Sequence, residues 1–207
     1  MMVSMKNTTV NRRYSLVILI CLLISSLELY SQQRQELVVI DRGIDGYEDI
    51  VKSIDRNMTI LLLGTECDQL RSLTDELKKY SGLQALHLFV HGEDAVLMFD
   101  HAAIHSGNID ELEPMLSQWK NSFREGADLL IYSCDLAKSC AGRELVHRIA
   151  KSTGLNVAAS NDLTGCDKLN GNWVLEYTDG EIETTRCFNP LQIMKYHHTL
   201  KTAMTGN

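Results

Sequence analysis

The sequence predicts an α/β domain, a mostly parallel sheet with helices on both faces and a β-hairpin near its C-terminal end. Three observations lead there. Short continuous apolar runs recur as LVVID, TILLL, ALHLFV and DLLIY, the mark of strands buried on both faces. Stretches with leucine at helical spacing alternate with those runs, and crossover helices are what parallel strands need to be connected. Asp179-Gly180 between two further strand-like stretches is a tight-turn signal.

The elements follow in order. Leu37 to Asp41 is a buried strand ended by Arg42-Gly43, and Tyr47 to Ile54 a short helix. Thr59 to Leu63 reads as a second buried strand. Leu70, Leu73, Leu77 and Tyr80 recur at helical spacing, so Asp68 to Tyr80 is an amphipathic helix. Ala85 to Val90 is the third strand and runs into His91-Gly92. Val96 to Phe99 and the residues after it read as a small hairpin or excursion. A helix is expected over roughly Glu113 to Phe123, with Pro114 in its first turn, where the missing N–H costs nothing. Asp128 to Tyr132 is the fourth strand, ending at Ser133-Cys134. Gly142 to Ser152 is a helix stopped by Gly154. Val157 to Ala159 is the fifth strand, and Trp173 to Tyr177 with Ile182 to Thr185 forms the hairpin. One domain spans about 36–188, and the pattern assigns no element to the tail 189–207.

Composition sets limits on function. The chain is 44% hydrophobic and 23% charged, which is globular rather than disordered. Its formal net charge of -7 disfavours a protein that reads nucleic-acid phosphates. After the first strand stands Arg42-Gly43-Ile44-Asp45-Gly46, not G-x-G-x-x-G, and no Walker loop follows any strand, so nucleotide binding is disfavoured too.

Lys6, Arg12 and Arg13 precede the apolar run Leu16 to Ile24, and residues 1–31 read as a secretory signal peptide. The apolar run is short for a spanning helix. The alternative is an uncleaved N-terminal anchor. Export is therefore expected, to the periplasm, cell surface or medium, with no stable membrane span once the leader is gone. Cys21 leaves with the leader, and the remaining Cys67, Cys134, Cys140, Cys166 and Cys187 are odd in number, so at least one thiol is left over. Cys140 and Cys166 follow neighbouring strand ends, which makes a disulfide between them one candidate.

The chemistry sits at two strand ends. If the third and fourth strands are parallel, His91 and Cys134 emerge from the same edge of the sheet. Ligands bind at the carboxyl ends of strands in such sheets. A thiolate is a good nucleophile, a nearby imidazolium lowers a thiol's pKa, and the imidazole can protonate a leaving amine. The helix after Cys134 is placed to add its N-terminus from the same side. Gly92 allows close backbone approach, and its N–H, with that of Cys134, is expected to face an oxyanion.

LHLFVHG (Leu86 to Gly92) and LLIYSCD (Leu129 to Asp135) resemble the caspase, legumain, gingipain and separase class (clan CD) of cysteine peptidases. In caspases the His lies roughly 50 residues upstream of the Cys, comparable with the spacing here. A closer resemblance runs over about 36–177. Asp41-Arg42-Gly43, the HG pair, YSCDLA (Tyr132 to Ala137), TGLNVAASNDLTG (Thr153 to Gly165) and NGNWVLE (Asn170 to Glu176) are similar to the bacterial domain-of-unknown-function family 4347. That resemblance implies a caspase-like three-layer sandwich. The family often stands near the N-terminus of very large exported proteins with adhesin-like or calcium-binding repeats. Two departures stand out: Glu93-Asp94-Ala95 and Lys138-Ser139-Cys140 occupy places where the family usually carries glycine.

By the same resemblance, Ala158 to Asp162 line the pocket for the residue before the cut, and Asp162 prefers a basic residue there. The alternative is that Asn161-Asp162 caps a turn. Asp135 is expected to cap backbone near Cys134, and His87 to be packed. Asp100, His101 and His105 lie in a loop and lack the helix and further ligands a zinc site needs. No metal or organic cofactor is expected. The sequence thus points to an exported cysteine endopeptidase-like domain, with Cys134 as nucleophile and His91 as general acid/base. Its expected substrate is a peptide or protein, with self-processing and the cleavage of surface proteins as candidate tasks. The alternative function is a catalytically silent surface-attachment or partner-binding module of the same fold.

Overall fold

The computed structural model describes residues 35–64, 68–99 and 101–201. Residues 1–31, read from the sequence as a signal peptide, and Cys67 lie outside the described residues. Among those described, nine strands and five α-helices succeed one another: β1 Glu36–Asp41, α1 Tyr47–Ser53, β2 Thr59–Leu63, α2 Gln69–Leu77, β3 Leu83–Phe89, β4 His91–Glu93, β5 Val96–Phe99, β6 Ala102–His105, α3 Ile109–Leu116, β7 Phe123–Tyr132, α4 Cys140–Thr153, β8 Asn156–Ala159, β9 Tyr177–Asp179 and α5 Pro190–Ile193. The main sheet has the order β2-β1-β3-β7-β8-β9. Its first five strands are parallel, and β9 joins β8 antiparallel.

Side chains alternate across a pleated strand, and the two faces sort accordingly. Val39, Leu88 and Ile131 point into a core shared with α2, α3 and α4, through Leu73, Leu116 and Val146. Val38, Phe89 and Tyr132 point the other way, into a second core built with α1, α5 and the segment after it, through Ile50, Ile193, Tyr196 and Leu200. Helices therefore cover both faces, as the continuous apolar runs require. The long helix α4 is capped at both ends: the Ser139 hydroxyl accepts from the Gly142 N–H, and Gly154 closes it in the left-handed conformation.

Three expectations need correction. First, β2 is not buried on both sides. It is the sheet edge, with Ile60 36% and Leu62 40% exposed, because no helix among the described residues covers that side of the last strand. Second, the C-terminal hairpin does not form among the described residues. Only Tyr177–Asp179 is a strand, and it pairs with β8. The returning stretch is captured by tertiary bonds instead: the buried Asp128 carboxylate accepts from the backbone N–H groups of Glu183 and Thr184, and Asn156 Nδ2 donates to Glu181 O. Third, α3 begins at Ile109, so Pro114 sits in its second turn rather than its first. The excursion after His91 is a small three-stranded antiparallel sheet, β4-β5-β6. None of the described helices is long and apolar enough to cross a membrane.

Candidate functional site

β3 and β7 are adjacent and parallel, with Phe89 beside Tyr132 at their carboxyl ends. Val90 N–H continues the ladder onto Tyr132 O at 3.2 Å. Two residues further on, in the same register, stand His91 and Cys134. The approach is close because residue 92 is glycine: a β-carbon there would lie 2.9 Å from Ser133 Cβ and 3.0 Å from the Cys134 carbonyl oxygen. The strand-end argument from sequence is thus realised in space.

The loop after β8 and the chain after α5 complete the site. Cys134 is fully buried, and its sulfur meets Thr164 O at 3.6 Å. Thr164 Oγ1 donates to Ser133 O at 2.8 Å, which ties the 160–165 loop to the end of β7. Asp135 comes next in the left-handed conformation, φ 58, and its N–H donates to Asp162 O at 2.7 Å. Backbone of this kind costs free energy in a non-glycine residue and is held only by surrounding structure. Here the holding groups are the Asp162 carbonyl and Lys138, whose ammonium lies 2.9 Å from Asp135 Oδ1.

His91 is half-buried, with backbone carbonyls against both ring nitrogens. Nδ1 lies 2.9 Å from Leu200 O and Nε2 lies 3.4 Å from Gly43 O. A carbonyl can only accept, so the shorter contact assigns a proton to Nδ1. Leu200 also donates its N–H to Thr164 O at 2.9 Å. Its side chain is fully buried in the cluster that contains Cys134. The tail that carried no sequence signal therefore passes directly over the His91/Cys134 pair. Thr164 falls in the TGLNVAASNDLTG block, though no role was read for it, and Leu200 carried no signal, since a single buried leucine after a helix has no local signature.

The electrostatics are those of a covered thiol. Burial pushes Cys134 up to about 11. Hydrogen bonding with Thr164 backbone lowers it, the Asp135 charge raises it, and Leu200 backbone and the Lys201 charge lower it by smaller amounts. The leading amides of α4 are taken by side chains, Ser139 N–H by Asp94 Oδ1 and Gly142 N–H by Ser139 Oγ.

The remaining candidates fall as follows. The Asp162 carboxylate accepts from Asn172 Nδ2 and Ser160 Oγ, which is the turn-holding alternative. Asp135 faces Lys138 and, at 3.9 Å, Lys201. His87 is packed in the sheet with Nε2 3.0 Å from Glu36 Oε2. The Cys140–Cys166 disulfide is corrected: both thiols are free, Cys140 exposed and Cys166 buried. Among the described residues no group of three or more His, Cys, Asp or Glu is arranged to hold a metal ion, and Asp100 lies outside them.

The sequence matches the family described as "Domain of unknown function (DUF4347)" over residues 37–200. The chain belongs to the DUF4347 family. No curated protein matches it. The DUF4347 match ends at Leu200, so it takes in the segment that covers His91 and Cys134. Within the matched region, Ala95, in the turn between β4 and β5, is left-handed at φ 61, which costs free energy in a residue with a β-carbon.

Proposed function

We propose that this DUF4347 domain is an exported cysteine endopeptidase of the caspase-like class, held latent in its present conformation. The observation that carries the reading is the pairing of His91 and Cys134 at the ends of adjacent parallel strands, in one register, with both against the backbone of Leu200. A thiol and an imidazole that both lie against the backbone of one residue are the groups acyl transfer needs: sulfur adds to a carbonyl carbon, and the imidazole returns the proton to the leaving amine. The basic, then apolar N-terminus supports export. The substrate is an extended peptide or a protein segment.

A second reading is a catalytically silent surface-attachment or binding module of the same fold. The complete burial of Cys134 and its raised pKa favour it. The test is hydrolysis of an unfolded protein substrate by the chain lacking residues 1–31 with its tail displaced by Leu200→Glu, beside the same variant carrying Cys134→Ala or His91→Ala. The peptidase reading expects cleavage that both substitutions abolish while the melting temperature stays within a few degrees. Cleavage that survives Cys134→Ala, or no cleavage after the tail has been displaced from the thiol, would leave the binding module as the better account.

A further inference from the structure

We infer that His198–Lys201 occupies the peptide channel of this site as an intramolecular substrate strand, with the Leu200–Lys201 bond as the bond presented to Cys134. The inference rests on the peptidase reading and adds what the site accepts.

The tail is bound as an extended peptide is bound. Gly165 and Thr199 form an antiparallel bridge. Cys166 N–H donates to His198 O at 2.9 Å, and Leu200 N–H donates to Thr164 O at 2.9 Å. Main-chain bonds of this kind hold a peptide whatever its side chains, and pockets for individual side chains add the selectivity. The channel wall is shaped for a strand. A β-carbon at Gly165, whose φ is +136, would lie 2.5 Å from His198 O and 2.7 Å from Thr199 Cα. One at Gly46 would lie 3.0 Å from His198 Cδ2.

Register is set by the ends of the strand. The Leu200 carbonyl oxygen takes the His91 Nδ1–H, which is where negative charge gathers when sulfur adds to that carbonyl. The Leu200 side chain is fully buried, whereas Lys201 is exposed with Nζ 3.9 Å from Asp135 Oδ2. The channel therefore takes a leucine-sized apolar residue before the bond and a basic residue after it. In the step itself the thiol proton passes to the His91 imidazole, and sulfur bonds the Leu200 carbonyl carbon. The bond to Lys201 nitrogen breaks, and that nitrogen takes the proton. Water then hydrolyses the thioester, releasing the Leu200 carboxylate and restoring the thiol. Until the strand leaves, no peptide in trans reaches Cys134.

The test uses the chain lacking residues 1–31 and a synthetic peptide copying Tyr196 to Met204. Leu200→Glu puts a charge into the buried pocket and expels the strand; Leu200→Pro, which removes the N–H donated to Thr164, serves if the first variant fails to melt cooperatively. Iodoacetamide labelling of Cys134 is read by peptide mass, with exposed Cys140 as internal reference. The expected result is at least a tenfold faster labelling of Cys134 in the variant and restored protection when the peptide is added. Unchanged labelling in the variant, or no protection by the peptide, overturns the inference. Cleavage of the peptide between its leucine and lysine, lost in Leu200→Glu/Cys134→Ala, supports the peptidase reading as well. Protection without cleavage upholds the channel and its occupant while removing the peptidase reading.

Discussion

His91 Nδ1 donates a 2.9 Å hydrogen bond to the carbonyl oxygen of Leu200, a residue 109 positions further along the chain. The contact joins the end of β3 to the tail after α5. It sets the imidazole's tautomer and places a fully buried leucine beside a fully buried thiol. Burying a leucine side chain stabilises by about 1.5–3 kcal/mol relative to exposure. The cover over the pair is thus part of the folded core and not a loose flap.

Thiol reactivity should reflect that cover. At pH 7.5 iodoacetamide should label Cys140, which is exposed, well before Cys134, Cys166 or Cys187, which are buried. Peptide mass spectrometry after short labelling reads the order. Cys134 labelling as fast as Cys140 would mean that the tail does not rest on the site in solution.

Stability should fall as the solution becomes alkaline. Burial raises Cys134 from an ordinary thiol value of 9.0 to about 11 and raises Cys187 in the same direction. Below pH 9 the thiol is neutral in both folded and unfolded chains, and its stabilising contribution is complete. Above it the unfolded chain loses a proton that the folded chain keeps, so stability drops as pH rises through the folded value. Cys134 alone accounts for on the order of 3 kcal/mol across that window. Urea unfolding midpoints at pH 8, 9.5 and 10.5 measure it, and Cys134→Ala should flatten part of the slope.

Gly92→Ala should destabilise the fold by about 1–3 kcal/mol, the usual range for overpacking. The added methyl meets Ser133 Cβ at 2.9 Å and backbone at 3.0 Å, neither of which is the end of a flexible side chain. Thermal melting reads the loss. A neutral result would mean that the two strand ends separate without cost, and that the His91/Cys134 pairing is not held by packing.

Ala95→Gly should stabilise by about 0.5–1 kcal/mol. Ala95 holds φ 61, where a β-carbon is strained and glycine is not. The Ala95 N–H to Leu136 O bond at 3.3 Å is kept by either residue. A fall in melting temperature would show that the entropy glycine adds to the unfolded chain outweighs the relief of strain.

Most of the architecture was legible because it rests on local pattern. LVVID, ALHLFV and DLLIY each bury both faces, so each declares its strand within six residues. Position in the sheet is not local. TILLL reads the same as those runs, yet as β2 it lies at the edge with Ile60 and Leu62 exposed. Asp179-Gly180 is a good turn signal, but the Asp128 carboxylate competes for the backbone of Glu183 and Thr184 and wins. No pattern within 177–185 reports a buried acid so distant in the chain.

The site divides in the same way. The sequence by itself determined the α/β class, the family, and the emergence of His91 and Cys134 from one sheet edge, because parallel strands with a common register fix which residues leave their ends together. Only the tertiary structure decided the state of that pair. Leu200 reaches it through backbone bonds to Thr164 and His91, and Cys134 loses its water to a residue with no sequence signature. Main-chain hydrogen bonds and the burial of one leucine depend on where the chain returns in space, and hydrophobic periodicity carries no record of that.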